Sequence, residues 1–390
     1  MKFKKRNASL LFASTLVVAS LTACGGSSSS TAEAEAPATT EAEAPATTEA
    51  AAPEATPEAA SEVNAAVFYY QYSDVYISSV RSAMDAELNT LGVTFNNYDG
   101  ANNQAQQSDQ INTAITNGAN LLIVNIVETS SSDAAQAAVE IARSADIPIV
   151  FFNREVSDDV VSSYEKCAFV GTNAPEAGHM QGQMVGDFLL ENYDAIDLNG
   201  DGEISYVMFK GQEGNAEAEA RTQFGVEDAD TILTADGKSA LAFYDAANSA
   251  KYLVDQDGAW SAKAATDYMD VILAQYSEAN DNMIEIVIAN NDGMAEGAVA
   301  SLQTAGYNLG DGSATTIPVF GVDATESAKQ LIDEGKMTGT VKQDAEGMAS
   351  TIATLVSNVG SGAELMDNTG SFNVDDGISK IRVPYGLYIG

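Results

Sequence analysis

From Asn64 onward the chain alternates short apolar runs with longer stretches whose apolar residues recur every three or four positions. Ala65-Ala66-Val67-Phe68-Tyr69-Tyr70 reads as a strand, 75–90 as a helix, Val93 to Tyr98 as a strand and 103–117 as a helix. Leu121-Leu122-Ile123-Val124 is a third strand, 132–145 another helix, and Pro148 to Phe152 a fourth strand. The cycle continues through Ala168-Phe169-Val170, 204–209, Ile284 to Ile288, Ile317 to Val322 and Gly339-Thr340-Val341. Strands alternating with helices make parallel sheets covered on both faces. So many strands exceed one ordinary sheet, so the expected fold is α/β, with two doubly wound parallel-sheet lobes.

In doubly wound sheets ligands bind beyond the carboxyl ends of the strands. The residues at those ends are polar throughout: Asp74, Asn125, Asn215 to Arg221, Asn290-Asn291-Asp292, Asp323 and Gln343-Asp344. Each alone reads first as a helix N-cap or a turn residue. Six loops together point to a cleft of fixed hydrogen-bonding groups, suited to the hydroxyls of a sugar. Aromatic side chains cover the apolar faces of such a ring.

One stretch, Asp197 to Arg221, carries a second signal. Asp197, Asn199 and Asp201 fall two residues apart with Gly202 next, the opening of an oxygen-ligand calcium loop. A complete loop of this kind places a bidentate Glu at its twelfth position, which here is Met208 inside an apolar run. The loop therefore needs a carboxylate from elsewhere, with Glu203 offering its carbonyl and Ser205 a weak hydroxyl or water-mediated contact. The plainer reading is an acidic turn before a strand.

The N-terminal region departs from the alternation. Lys2, Lys4, Lys5 and Arg6 precede an apolar run from Leu10 to Leu21, followed by small residues and Cys24. This reads as an export signal over 1–23, too short in its apolar run for a membrane span. Residues 24–63 form a Gly/Ser/Thr/Ala/Glu/Pro tether, with EAEAPATT twice in tandem at 33–40 and 41–48. Once Cys24 is set aside, Cys167 has no partner, so no disulfide framework exists, and it reads as a buried apolar residue. A formal charge of −38, from 18 basic and 56 acidic residues, excludes nucleic acid as a partner. His179 is the only histidine, so neither a zinc site nor a Ser/His triad can be built. No GxGxxG follows a strand, which removes the dinucleotide enzymes.

The runs KGQEGNAEAEART, EIVIANNDGMAEGAV, IPVFGVDA and IRVPY, with the YQYSDVY start, resemble the bacterial galactose/glucose-binding proteins, solute receptors of ABC importers with the type I periplasmic-binding fold. The resemblance spans nearly everything from 65 to 385. It implies two lobes joined by three hinge crossings that close on a hexose, D-galactose or D-glucose, and a Ca2+ loop in the second lobe. Carried over by position, Asp74, Asn125, Arg221, Asn291 and Asp323 bond the sugar, while Tyr76, where the family commonly shows Phe, and Trp260 stack on its faces. Asn215, Glu217 and Gln343 stand where the family shows His, Asp and Asn, and the last two are each longer by a methylene. The calcium ligands map onto Asp197, Asn199, Asp201, Glu203, Ser205 and, for the borrowed carboxylate, Glu285. The Leu21-Thr22-Ala23-Cys24 run resembles a lipobox, which implies lipidation of Cys24 and membrane anchoring on the extracytoplasmic face.

The expected lobes are 64–149 with 343–381, and 150–342 with 382–390. Expected partners are a monosaccharide and the permease subunits of an ABC importer, the chain itself being a monomer. Three alternatives stay open: a receptor for a pentose or related polyol, a protein presenting its ligand to a chemoreceptor or sensor kinase, and a glycosidase using a pair such as Asp74 and Glu217. The glycosidase is disfavoured because no carboxyl pair with raised pKa is visible.

Overall fold

The computed structural model describes residues 62–390. The expected signal, Cys24 and all of the tether but its last two residues lie outside that range. Val63, the tether's expected last residue, is buried in the core beneath the first sheet, so the folded body starts one residue early.

The first lobe begins with β1 (Asn64–Tyr69), α1 (Val75–Thr90), β2 (Thr94–Asp99), α2 (Gln104–Thr116) and β3 (Leu121–Val124). It continues through α3 (Asp133–Ser144), β4 (Ile149–Asn153), the short α4 (Asp158–Ser162) and β5 (Cys167–Gly171). The second lobe follows with α5 (Ala174–Ile196), β6 (Ser205–Lys210), α6 (Ala216–Ala235), β7 (Ala242–Phe243), β8 (Leu253–Val254) and α7 (Ala262–Leu273). Then come β9 (Ile286–Ala289), α8 (Asp292–Thr304), β10 (Val319–Asp323), α9 (Glu326–Asp333) and β11 (Gly339–Lys342). The chain returns for α10 (Ala345–Ser361), β12 (Asn373–Val374) and β13 (Lys380–Arg382), and ends with β14 (Gly386–Tyr388).

Two seven-stranded sheets result, ordered β12-β13-β5-β4-β3-β1-β2 and β14-β11-β10-β9-β6-β7, with β8 beside the end of β6. Pairing is parallel except at the edges, where β12 runs against β13 and β14 against β11. The central strands are buried on both faces, which is why they read as unbroken apolar runs. Ile77, Val80, Met84 and Leu88 of α1 join Met348, Ile352, Leu355 and Val356 of α10 on one face of the first sheet. Apolar residues of α2, α3 and α4 cover the other. In the second lobe α7, α8 and α9 share one core, and α5 and α6 the other.

Two of the expected lobe boundaries move. β4 pairs with β3, and β5 pairs with β4 and β13, so residues 150–171 belong to the first lobe. An isolated apolar run does not reveal which sheet will accept it, and this register does. Arg382 likewise pairs with Gly171 in the first sheet. The crossings between lobes are therefore 172–173, 343–344 and 383–385, three in number as expected.

Candidate functional site: a closed cavity between two sheet edges

The carboxyl ends of both parallel sheets point into the space between the lobes, so each strand delivers its following residue there. After β1, the Asp74 carboxylate caps α1 by accepting the Ile77 N–H at 2.8 Å and takes the Tyr70 hydroxyl at 2.6 Å. Asn153 ends β4 and Arg154 follows it. The Arg154 guanidinium donates to the Ile126 and Val127 carbonyls at 3.1 and 2.6 Å and stacks 4.2 Å over the Tyr70 ring.

From the second lobe, the turn after β6 ends at Asn215, which caps α6 by accepting the Ala218 N–H at 3.0 Å. Glu217 and Arg221, one helical turn apart, follow on the same face of α6. Trp260 lies in the loop before α7, its ring over Gly211, where even a β-carbon would fall 2.1 Å from the indole. Asn291 caps α8 and donates to the Trp260 carbonyl at 3.2 Å, so the cap fixes the tryptophan loop. Asp323 ends β10 and Gln343 follows β11. The plain N-cap reading is thus correct for Asp74, Asn215 and Asn291, and the same three side chains also face the cavity.

These residues wall a narrow cavity of about 40 Å³. Nine of the ten side chains expected to hold ligand reach its wall: Asp74, Tyr76, Asn215, Glu217, Arg221, Trp260, Asn291, Asp323 and Gln343. Asn125 does not line it. Its amide accepts the Tyr70 N–H at 3.2 Å and donates to the Phe152 carbonyl at 3.1 Å, so it braces the ends of β1 and β4 from behind. Tyr70, Ile77, Asn153 and Arg154 line the wall and were not anticipated. The strand-end rule that located Asp74 also covers Asn153 and Arg154, directly after an expected strand.

The lobes touch around this space. Gln71 of the first lobe donates to the Ala259 carbonyl at 2.9 Å, Asn215 to the Thr129 hydroxyl at 3.2 Å, and the Glu155 N–H to Glu217 at 3.1 Å. Closure desolvates the acids. Burial raises the pKa of Asp74 and of Glu217, where Glu155 adds to the rise and Arg221 opposes it, and raises that of Asp323 well above the carboxylate range. Burial works against the Arg221 charge, but Tyr385, Asp323 and Glu217 more than restore it. A pocket that raises carboxyl pKa values therefore exists, contrary to expectation. Four wall atoms are buried with no hydrogen-bond partner: the Tyr76 hydroxyl, Glu217 Oε2, Arg221 Nε and Gln343 Nε2. Two donate, one accepts when ionised and the hydroxyl does either, which is the complement of a multiply hydroxylated guest.

Far from the cavity, the 197–205 loop folds on itself. Asp197 accepts the N–H groups of Asp201 and Gly202 at 3.1 and 3.0 Å, Asn199 that of Asp201 at 2.9 Å, and Asp201 that of Glu203 at 2.9 Å. Glu285, just before β9, docks onto the loop and accepts the Leu198 and Ser205 N–H groups, both at 2.7 Å, and the Ser205 hydroxyl at 3.1 Å. The donors are all oxygens, the set a hard cation takes. The acidic side chains spend those oxygens on the loop's own backbone. Among the described residues no three His, Cys, Asp or Glu side chains converge to hold a metal. Cys167 is buried and its thiol is pushed up to about 12, which leaves it inert.

Residues 65–364 match the model of a periplasmic binding protein domain. Over 320 residues the chain is 33% identical to the D-galactose/methyl-galactoside binding periplasmic protein of Haemophilus influenzae, covering 82% of this chain and 87% of that protein. It is 23% identical to the ribose import binding protein of Escherichia coli, covering 69% and 75%. Among solved structures it resembles an ABC transporter solute binding protein from Clostridium phytofermentans with bound β-D-glucose, at TM-score 0.63 and 20% identity, covering 84% of this chain and 94% of that one. A Bacillus halodurans counterpart with bound myo-inositol gives TM-score 0.62 at 23% identity, covering 85% and 95%. At such identities the likeness to solved structures concerns the fold.

Proposed function

The chain belongs to the periplasmic binding protein family, and from that premise we propose that it captures a hexose, D-galactose or D-glucose, outside the cytoplasm and presents it to an ABC-type importer. It is a binding protein and not an enzyme. The observation that carries the reading is the set of four unpartnered polar atoms on a closed wall that also holds an indole ring. A ring bearing several hydroxyls can satisfy all four while Trp260 covers an apolar face. The raised carboxyl pKa values are the cost of closing an empty polar cavity, and sugar hydroxyls donating to Asp74, Glu217 and Asp323 offset that cost by favouring the ionised form.

Binding calorimetry with D-galactose, D-glucose, D-ribose and L-arabinose tests the class of ligand. Pentoses lack the exocyclic hydroxymethyl group and leave polar groups unpaired, so hexoses should bind more tightly. A pentose preference would give the cavity to the smaller sugar, a reading favoured by the added methylenes of Glu217 and Gln343. Product analysis after long incubation with glycosides should return them unchanged.

We also propose that the 197–205 loop, completed by Glu285, holds a calcium ion. Its support is the oxygen-only donor set and a nearly fully buried carboxylate brought to the loop from β9. Chelation should lower the thermal midpoint, added calcium restore it, and Glu285→Gln copy the loss. An unchanged midpoint together with no calorimetric calcium binding rules the site out. Anchoring through acylated Cys24 is proposed on the lipobox-like run before it. Mass spectrometry of the mature N-terminus decides this, since an unmodified end on protein free in the medium contradicts it. Delivery to a chemoreceptor or sensor kinase remains the alternative destination for the occupied form.

A further inference from the structure

Two of the three crossings between the lobes place a buried side chain against one guanidinium, and the third reaches it through Tyr385. Arg221 Nη2 donates to the Tyr385 hydroxyl at 3.1 Å, from crossing 383–385, and reaches Gln343 Oε1 at 3.4 Å, from crossing 343–344. The Tyr385 hydroxyl shares a 2.7 Å hydrogen bond with the Thr172 hydroxyl, from crossing 172–173. Arg221 Nη1 is fixed separately, donating to the Asn290 carbonyl at 2.8 Å. Only Nε is left without a partner, on a side chain that lines the cavity. Thr172 is fully buried, and Tyr385 and Arg221 are nearly so.

We infer that Tyr385 and Thr172 are positioning residues for ligand capture: their hydroxyl pair holds the Arg221 guanidinium with its Nε–H aimed into the cavity, and in doing so couples the filled cavity to the hinge. A guanidinium is a rigid planar fork, so fixing both terminal nitrogens fixes the third. The crossings are already held by backbone, with the Val383 N–H donating to the Gly171 carbonyl at 2.7 Å and Gln343 N–H to the Asp323 carbonyl at 3.2 Å. The side-chain chain from Thr172 through Tyr385 to Arg221 is therefore not needed to make the hinge strands. What it adds is a connection that ends on the ligand. In an opened cleft water can solvate Arg221, whereas in the closed cleft a missing Tyr385 hydroxyl leaves Nη2 desolvated with one long bond. Loss of that hydroxyl should thus penalise the closed, occupied form selectively.

The inference rests on the proposed sugar reading, and the tests separate the two. Calorimetry with D-galactose and D-glucose on Tyr385→Phe and Thr172→Val should show affinity reduced roughly tenfold, with little change in the denaturant midpoint of the sugar-free protein. Thr172→Ser, which keeps the hydroxyl, should bind like wild type. In an Arg221→Lys background, which lacks the fork, adding Tyr385→Phe should cost nothing further. Wild-type affinity in Tyr385→Phe overturns the inference. So does an equal loss in both backgrounds, or a sugar-free midpoint that falls in step with affinity. If wild type binds no sugar, the receptor reading fails and a ligand-free arm still decides: the closed population, read from the distance between labels on the two lobes, should fall in Tyr385→Phe, and an unchanged distance distribution overturns the clamp.

Discussion

Asn153, Trp260 and Asp323 stand on the cavity wall with φ of 63°, 55° and 130°, on backbone that residues with a β-carbon avoid. Each is held there by its surroundings, and Trp260 shows how. Its ring covers Gly211, whose absent side chain is the space the indole occupies. The Gly211 backbone is not left-handed, so Gly211→Ala tests that contact alone. The indole should be displaced and sugar affinity fall by about 1–3 kcal/mol, as for loss of an aromatic anchor. Calorimetry on the variant checks it, and unaltered binding means the ring does not face the ligand. A second residue predicts pH dependence. Asp292 is fully buried, accepts the Thr340 hydroxyl at 2.6 Å and the Thr325 N–H at 2.8 Å, and burial raises its pKa to about 7. The folded protein then holds a proton that the unfolded chain releases near pH 4, so this residue's contribution to stability falls as pH rises from about 4 to about 7. Asp292→Asn should flatten that part of the curve in denaturant titrations at pH 5 and pH 7.5. An identical slope in variant and wild type would remove the assignment. Side-chain type at strand ends was legible in the sequence, since polar residues there have few other reasons to cluster. The left-handed backbone was not, nor was the withdrawal of Asn125 behind the wall, because both depend on neighbours far away in the chain.

At the scale of elements, the close packing of α5 on α6 sets where the sugar-facing end of α6 lies. Gly178, Gly182 and Gly186 repeat every four residues along α5 and form a groove for α6. A β-carbon on Gly182 would fall 2.3 Å from the Phe224 carbonyl oxygen, a backbone atom that cannot turn aside. Alanine is favoured over glycine in a helix by about 1 kcal/mol, yet Gly182→Ala should destabilise the protein by about 1–3 kcal/mol through overpacking. Sugar affinity should weaken as well, because Glu217 and Arg221 ride on α6. Urea unfolding gives the sign directly, and a gain in stability would show that the helices have room to spare. The elements themselves were legible because strands buried on both faces admit only apolar side chains, and α1 and β3 fall on their expected residues. Lobe membership was less so. Runs 149–153 and 167–171 resemble those of the second sheet, and only their pairing with β3 and β13 assigns them to the first.

At the scale of the molecule, two sheets of similar build face each other with their carboxyl edges, and every side chain proposed to hold the sugar comes from those edges, the loops beside them or the opening turns of α1 and α6. Closure joins them through contacts such as Gln71 to Ala259 and Glu155 to Glu217, neither of which can persist when the lobes part. Ligand therefore has a differential effect only on the closed form, which is the condition for it to shift the equilibrium. Trp260 is the only tryptophan in the chain, so all indole emission reports on that wall. The most direct measurement is a fluorescence titration of the unlabelled protein with D-galactose, D-glucose and a pentose. The account predicts a saturable change with a hexose, weaker with the pentose, and a Trp260→Ala variant whose hexose affinity, read by calorimetry, is much reduced. A pentose preference would contradict the hexose assignment, and silence toward every sugar, confirmed by calorimetry, would contradict the receptor itself.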